Sequence, residues 1–434
     1  MSILSHFTFR SRWGQLLSAA GVLTMSLPSV HASEASAKDE GWPQWRGPHR
    51  DGTVASTPAW PSSLGEEFFQ RTWRIDLGPG YSGPLVTGGL VVTTETEGKA
   101  TEVVRALKVE TGEEVWRTSW EGALTVPFFA KSNGDWIRST PATDGTFVYV
   151  AGMRDVLVCL EVATGKVVWR VDFVEEFSSE LPAFGCVCSP LLDGDAVYVQ
   201  AGGGTVKLDK RTGKVLWRGF QDGGGMSGSA FSSPIIATLA GRRQIVVQGR
   251  EKLAGLDPSD GKTLWETPVA SFRGMNILTP VIFQEGVFTS TYGGRSQWLK
   301  IAGSPDALTA TEGWSQNEQG YMSTPVIIGS HAYHHLRSQR LVCFELTTGE
   351  EKWTSSEKFG KYVSLVAQGE QVLALDERGL LYLIAASPAQ LNILSERRVS
   401  EEETWAHLAV VGQNLFIRDL KGLAQWRWAK KPKP

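Results

Sequence analysis

Few side chains of this 434-residue chain have the type and spacing that metal binding or redox chemistry requires. Cys186 and Cys188 lie two residues apart in a β-rich stretch, so both should face the same side of a strand. A copper or redox pair is one interpretation, but no histidine is near them in the sequence, which favours buried apolar side chains. His334 and His335 are adjacent and should point to opposite faces, so they do not chelate one metal together.

Motifs for other chemistries are missing from the sequence. It contains no nucleophile elbow, no phosphate-binding loop and no metalloprotease helix motif. The net charge of −3 favours neither nucleic acid nor an anionic membrane as a partner. The sequence therefore predicts no catalytic residue and no metal site.

The elements that would position any site form an internal repeat. Leu157–Arg170 reads as a strand, a tight Thr164-Gly165 turn and a second strand that carries Trp169. The first five of the repeated tryptophans are 53, 48, 48 and 49 residues apart, about the length of a four-stranded propeller blade. The repeated tryptophans are Trp116, Trp169, Trp217, Trp265, Trp314 and Trp353.

A second marker keeps a constant phase with the first. Each unit begins with a small residue followed by proline, a pair here named the opener. Proline is tolerated at the start of a strand because no backbone N–H is required there for hydrogen bonding to the neighbouring strand. The openers are Gly83-Pro84, Thr140-Pro141, Ser189-Pro190, Ser233-Pro234, Thr279-Pro280 and Thr324-Pro325. Each unit reads as a four-stranded antiparallel meander, and radial stacking would bury both faces of each.

These signals predict an all-β fold: an eight-bladed β-propeller of four-stranded antiparallel blades, with its ring closed by N- and C-terminal strands. Trp73 lies in an orphan outer strand near the start, and the last three strands of the chain lack a fourth. Two degenerate units begin near Ser364 and Trp405. Blade five lacks the Thr-Gly turn and blade seven lacks a tryptophan, so a seven-bladed ring is an alternative.

The consensus Leu-x-Ala/Leu-x-Asp-x-x-Thr-Gly-x-x-x-Trp resembles the PQQ-type propeller repeat over about residues 66–428. That repeat occurs in quinoprotein dehydrogenases and in BamB-type outer-membrane assembly factors. The resemblance implies that the six repeated tryptophans dock against the adjacent blade. It implies the fold more strongly than the function, because one fold hosts many functions.

The N-terminus has the pattern of an export signal. Arg10 and Arg12 precede the apolar stretch 16–27, and Val30-His31-Ala32 is an acceptable cleavage site. An uncleaved anchor is the alternative, and no cysteine follows to carry a lipid. We therefore expect a periplasmic or secreted monomer without a transmembrane segment after cleavage. The predicted domains are a signal peptide at 1–32, a linker and N-terminal Trp/Arg cap segment at 33–65, a single PQQ-like propeller at 66–429 and a disordered basic tail at 430–434.

Propellers usually bind ligands on their axis, so residues just before each opener are the candidate ligand or channel residues. These are Tyr81, Arg138, Cys186, Cys188, Phe231, Asn276, Tyr321, Lys361, Tyr362, Trp405 and His407. They include no carboxylate, whereas a calcium-assisted quinone site would need oxygen ligands and a general base. The segment Trp42–Asp51 could bind a ligand through Trp42, Trp45 and Arg46, but a lid over one end of the ring is favoured.

Three hypotheses for function follow. The first is an exported, non-catalytic propeller that acts as a protein-interaction scaffold in the cell envelope, similar to outer-membrane assembly factors and without a cofactor. Its contacts would come from rim-loop aromatics that we expect to be exposed, with packing onto the propeller face as the alternative. They are Phe128, Phe129, Trp136, Phe173, Phe177 and Phe184. The second is a PQQ-dependent dehydrogenase with calcium, and the third is a propeller that binds a glycan or another small molecule.

Overall fold

Short β-branched and apolar segments separated by glycine turns form nearly all of the regular structure. The computed structural model describes residues 41–55, 58–221 and 230–428. Within these ranges the strands form eight four-stranded antiparallel sheets, so the prediction of eight blades is confirmed and the seven-bladed alternative is wrong. The predicted signal peptide and basic tail lie outside the described residues.

The first strand, β1 (Phe69–Asp76), stands apart from the blades that follow it along the chain. Blade one contains β2 (Leu85–Thr87), β3 (Leu90–Glu97), β4 (Thr101–Lys108) and β5 (Glu114–Glu121). Blade two contains β6 (Ala142–Thr143), β7 (Phe147–Gly152), β8 (Val156–Glu161) and β9 (Val167–Asp172). Blade three contains β10 (Leu191–Asp193), β11 (Ala196–Ala201), β12 (Gly204–Asp209) and β13 (Val215–Gly219). Blade four contains β14 (Ile235–Leu239), β15 (Arg242–Gln248), β16 (Lys252–Leu256) and β17 (Thr263–Pro268).

The second half repeats the arrangement. Blade five contains β18 (Val281–Phe283), β19 (Gly286–Ser290), β20 (Ser296–Ser304) and β21 (Ala307–Gln316). Blade six contains β22 (Val326–Ile328), β23 (His331–His335), β24 (Leu341–Glu345) and β25 (Glu351–Thr354). Blade seven contains β26 (Val363–Gln368), β27 (Gln371–Asp376), β28 (Leu380–Ala385) and β29 (Asn392–Arg398). Blade eight contains β30 (Ala409–Val411), β31 (Asn414–Asp419) and β32 (Gly422–Trp428), and α1 (Phe173–Phe177) is a short helix after blade two.

The two ends of the described chain complete one blade. Strand β1 pairs antiparallel with β32, from Phe69 opposite Trp428 to Asp76 opposite Gly422. The aromatic rings of Phe69, Trp426 and Trp428 pack at this junction, with centroids 5.1–5.2 Å from Phe69 to the two indoles. The predicted head-to-tail closure is therefore confirmed, and β1 becomes the outer strand of blade eight.

The hydroxyls of the openers join neighbouring blades along the inner edge. The Thr140 amide donates to Ser189 Oγ at 3.1 Å, and the Ser189 amide donates to Ser233 Oγ at 2.9 Å. The same bond recurs from Gly83 to Thr140 at 2.8 Å, from Ser233 to Thr279 at 3.0 Å and from Thr279 to Thr324 at 3.1 Å. Each hydroxyl satisfies a buried amide of the preceding blade, which explains why most openers carry Ser or Thr before the proline.

Blades six to eight are linked by similar bonds that run in the opposite direction. The Val363 amide donates back to Ser323 Oγ at 3.0 Å, and the Leu408 amide donates back to Ser364 Oγ at 3.1 Å. Gly83 begins blade one without a side chain because a Cβ there would lie 2.7 Å from the His407 carbonyl oxygen. The backbones of blades eight and one therefore approach closely at this glycine.

At the outer edge, indole rings lie on the turn of the next blade. Trp116 Nε1 donates to the Val162 carbonyl at 2.7 Å, and a Cβ on Gly165 would lie 2.4 Å from the Trp116 ring. Gly165 also has a φ of +71°, which other residues rarely adopt. Equivalent indole bonds to the next blade are made by Trp73, Trp169, Trp217, Trp314 and Trp353 at 2.7–3.1 Å.

Trp265 is the exception among the six tryptophans expected to dock. Its Nε1 donates to Gln244 Oε1 in its own blade rather than to a carbonyl of blade five. The sequence explains the difference, because blade five has no Thr-Gly turn to offer such a carbonyl. The indole still packs with Val287 and Leu299 of blade five, so only the polar part of the contact is missing.

Glu102 on β4 is a buried carboxyl that connects blade one to blade two. Its Oε1 accepts from the Met153 amide and its Oε2 accepts from Trp120 Nε1, each at 2.7 Å. Burial raises the pKa of Glu102 from 4.5 to about 7, although these two hydrogen bonds oppose the shift. A carboxyl whose pKa is raised on folding stabilises the fold fully below its unfolded pKa and loses that contribution as the pH rises through the folded pKa.

We therefore expect Glu102→Gln to change the pH dependence of stability. Urea unfolding at several pH values should show the unmodified protein losing free energy of unfolding, relative to the variant, as the pH rises from about 4.5 to above 7. The amide adds a roughly constant cost, because its NH₂ group meets one of the two N–H donors. A difference between the two proteins that is constant over this range, or that grows in favour of the unmodified protein, would contradict the assignment.

Candidate functional site

A cavity opens at the mouth where the connections between blades enter the innermost strands. Its volume is about 240 Å³. Seven aromatic residues line it, and all are half-buried. They are Trp45, Tyr81, Phe184, Phe231, Tyr321, Tyr362 and Trp405.

The other lining residues follow from strand geometry. Thr140, Ser189, Ser233 and Thr279 stand directly before their opener prolines, and Arg138, Val187 and Ile277 stand two residues earlier. Because successive side chains of an extended segment alternate in direction, residues at odd distances before the proline share one face. That face borders the cavity, which is completed by Ala130, Met275, Met322 and His407.

The structure brings some of the predicted channel residues together at the cavity and places others elsewhere. Alternation accounts for only part of this division, since Tyr321 lies four residues before Pro325 and still lines the cavity. Of the predicted channel residues, Tyr81, Arg138, Phe231, Tyr321, Tyr362, Trp405 and His407 line the cavity. Cys186, Cys188 and Asn276 stand at even distances before their prolines and are buried away from it. Lys361 is exposed beside Tyr362. Whether the seven lining residues bind a ligand stays a prediction.

The two cysteines occupy an apolar cluster between blades two and three. Cys186 and Cys188 pack there with Tyr149 and Phe173, in the loop that precedes β10 rather than on a strand as expected. Burial raises the pKa of Cys188 to about 12, so its thiol stays protonated at neutral pH. Asn276 donates from Nδ2 to the Arg250 carbonyl at 2.8 Å, which makes it part of the loop framework.

The floor of the cavity is the N-terminal segment 41–55. The Trp42 amide donates to the Val86 carbonyl at 2.8 Å in blade one, and the Val54 amide donates to the Ala367 carbonyl at 2.9 Å in blade seven. A second cavity of about 280 Å³, lined by His49, Asp51 and residues that follow the openers, lies on the other side of this segment. The segment therefore divides the axial channel.

Two buried arginines fix this segment to the openers. Arg46 Nη1 donates to the Thr324 carbonyl at 2.8 Å, and Nη2 donates to the Pro325 carbonyl at 2.6 Å. Arg50 donates to the Pro190 and Ser189 carbonyls at 2.7 and 3.1 Å. Burial lowers the pKa of each arginine to about 10, so both stay charged at neutral pH.

His407 contributes a neutral ring to the floor. Its Nδ1 lies 2.9 Å from the Leu408 carbonyl, and its centroid lies 6.3 Å from that of Trp42 and 6.0 Å from that of Trp45. Burial, reinforced by the charge of Arg46, lowers the pKa of His407 to about 3. A histidine with so low a pKa is a poor proton carrier at neutral pH.

The donor set does not fit a calcium-bound quinone. Calcium takes six to eight oxygen ligands, of which several are usually carboxylates. No Asp or Glu lines the cavity in the described ranges, and these ranges contain no cluster of three His, Cys, Asp or Glu side chains arranged for a metal. His334 and His335 contact different blades, since His334 packs on Phe288 and His335 Nδ1 lies 3.2 Å from Ser323 Oγ.

The rim aromatics occupy three different environments. Phe128 and Phe129, in a 3₁₀ turn over Phe128–Asn133, are 84% and 54% exposed. Trp136, Phe177 and Phe184 are half-buried. The expectation that Phe173 is exposed was wrong, because it is fully buried in the cluster around Cys186.

The family model described as outer membrane protein assembly factor BamB matches residues 99–355, which is more than half of the chain. The chain belongs to this family. The BamB protein of Nitrosomonas eutropha is 25% identical over 49% of this chain and 50% of its own length, so the match spans half of that relative. The BamB protein of Yersinia pestis is 20% identical over 66% of this chain and 70% of its own length.

Solved structures show the same fold. The crystal structure of BamB from Moraxella catarrhalis has a TM-score of 0.59 at 15% identity and covers 84% of this chain and 99% of its own. A quinohemoprotein alcohol dehydrogenase from Pseudomonas putida has a TM-score of 0.51 at 12% identity, and the match covers 91% of this chain and 81% of the dehydrogenase. At these identities the likeness concerns the fold alone. None of the helices in the described ranges has the length and apolar character needed to cross a membrane.

We expect Arg46→Met to loosen the segment 41–55. The substitution keeps much of the buried apolar volume but leaves the Thr324 and Pro325 carbonyls without their donor, at a cost of about 3 kcal/mol in the free energy of unfolding. Trypsin should then cut faster after Arg50, which is buried in the unmodified protein. Arg211→Met, at an exposed side chain, serves as the control and should stay within about 0.5 kcal/mol. Unchanged stability together with full protection of Arg50 would refute this role.

Proposed function

We propose that this protein is an exported, non-catalytic scaffold that binds an envelope protein during outer-membrane assembly. The family supports the class of function, and the rim of the mouth supports the mode of binding. The observation that carries the proposal is the pair Phe128 and Phe129, two exposed rings on a short turn beside the cavity.

The pair belongs to a continuous row of aromatic rings. Phe128 packs on Phe129 with centroids 5.6 Å apart, Phe129 on Phe184 at 6.3 Å, and Phe184 on Phe231 at 5.7 Å. Aromatic side chains, phenylalanine included, are enriched in the buried cores of protein interfaces. Their apolar area is unfavourable in water, and a partner that covers it would gain free energy.

Two further observations are consistent with a scaffold. His407 has a pKa far below neutral, and the described lining of the cavity has no carboxylate, so a general base is not evident. The segment 41–55 is fixed across the axis by buried arginines, which gives the mouth a rigid floor. The export signal proposed at 1–32 would deliver such a scaffold to the periplasm.

The test is site-specific cross-linking in cells. A photoreactive phenylalanine analogue at position 128 should form an adduct that contains a protein of the outer-membrane assembly machinery, identified by mass spectrometry. The same analogue at Val115, which is 44% exposed on outer strand β5, is the matched control and should give no such adduct. Phe128→Asp should weaken the adduct formed from a probe at Lys131, because the anchor ring is removed from the same turn.

Two outcomes would contradict the proposal. One is equal cross-linking at positions 128 and 115, which would mean that the exposed rings are not a specific contact. The other is oxidation of an alcohol or sugar by the purified protein after addition of PQQ and calcium, which would favour the dehydrogenase hypothesis.

A further inference from the structure

The described lining of the mouth cavity includes a cation but no carboxylate. Arg138 is the one lining residue, among those described, that is charged at neutral pH. Its Nη2 donates to the Gly134 carbonyl, its Nε has no partner within the described part of the chain, and no described carboxylate forms an ion pair with it. Asp135 acts electrostatically on Arg138, and Glu403 Oε2 accepts from Trp405 Nε1 at 2.6 Å, but neither carboxylate lines the cavity.

Charges beneath the cavity have the same sign. The guanidinium carbons of Arg46 and Arg50 lie 5.6 and 5.9 Å from the Trp45 ring centroid, within the segment that forms the floor. Both donate to backbone carbonyls of the openers, which do not cancel their charge. Burial raises the pKa of Tyr81 to about 12 and lowers that of His407 to about 3, so these rings stay neutral. Asp51, Asp135 and Glu403 oppose these positive charges from outside the lining, so Arg138 is the charge that a ligand would meet inside the cavity.

The walls are suited to a flat apolar body. Trp405 stacks on Tyr362 with centroids 6.1 Å apart and an interplanar angle of 17°, and it packs on Tyr81 at 5.7 Å. The Arg138 guanidinium carbon lies 5.4 Å from the Tyr81 centroid, so the charged group adjoins the aromatic wall. A dry cavity of about 150 Å³ can hold benzene. The volume here, about 240 Å³, suits a ligand of one or two rings.

We propose that this cavity binds a small aromatic carboxylate, whose carboxylate group pairs with Arg138 while its ring lies against the wall formed by Tyr81, Trp405 and Tyr362. Carboxylates are favoured among anions because an arginine can donate to both carboxylate oxygens in one plane. A bound ring would also desolvate the pair and strengthen it. This inference concerns the interior of the cavity and does not depend on the protein contact proposed at Phe128.

The test compares probes of one shape and different charge. Isothermal titration or tryptophan fluorescence should show saturable binding of 2-naphthoate, with affinity about tenfold to hundredfold higher than for neutral 2-naphthamide. Arg138→Met should remove that preference, so that the two probes bind equally. Arg211→Met, which removes an exposed charge elsewhere, should leave it intact.

A second variant keeps the proposal falsifiable if Arg138→Met does not fold. Val187 lines the cavity and is half-buried, so Val187→Asp places a negative charge beside the expected carboxylate. This variant should have an affinity for 2-naphthoate at least about tenfold lower than the unmodified protein, and it should bind 2-naphthylmethylammonium more tightly than 2-naphthoate. Equal binding of naphthoate and naphthamide by the unmodified protein, no saturable binding of either, or binding of PQQ with calcium but not of naphthoate would each overturn the proposal. These results would not alter the cross-linking expected at position 128, which lies outside the cavity.

Discussion

A four-stranded blade has two apolar faces that water does not stabilise, and closing the ring is what covers them. The last three strands of the chain cannot complete their sheet, and β1 supplies the missing outer strand across β32. Along the inside, the opener hydroxyls bind amides of neighbouring blades, and along the outside the indoles rest on the following turns. If two neighbouring blades separated, the amide donors at the inner edge and the indole N–H at the outer edge would lose their acceptors. The apolar faces between the two blades would also be exposed to water.

The mouth follows from this closure. Connections from the outer strand of one blade to the inner strand of the next all reach the axis at the same end, so alternate residues before the openers share one cavity. The segment 41–55 then closes the axis beneath them, and its arginines use carbonyls that the openers leave available. One framework thereby produces a rigid aromatic cavity with a positive charge, bordered by two exposed phenylalanines.

Most of the fold could be predicted because its signals are local and repeated. The openers and the tryptophans set the blade length, and the unpaired Trp73 strand indicated the closure. The site was only partly predictable. Side chains alternate in direction along the segments before the openers, so Arg138 faces the cavity whereas Cys186 and Asn276 do not. The sequence does not say which of the two faces borders the axis. The role of Arg46 and the neutrality of His407 depend on contacts between residues some 280–360 positions apart, which no local pattern contains. At Trp265 the sequence showed the cause but not its consequence. The missing Thr-Gly turn of blade five was visible, but the sequence did not indicate that the indole N–H would bond within its own blade instead.

The closure of the ring by its two ends can be measured directly with a cross-link. Gln70 and Arg427 are exposed and face each other across β1 and β32, and the four native cysteines are buried. In a variant with Gln70→Cys and Arg427→Cys, mild oxidation should give an intramolecular disulfide in nearly every molecule and raise the urea midpoint of unfolding, because the bond joins the two ends of the ring. A variant with Gln70→Cys and Arg295→Cys should give none. Failure of the first pair to form the intramolecular bond, with only intermolecular disulfides detected by mass spectrometry, would contradict the closed ring on which the site depends.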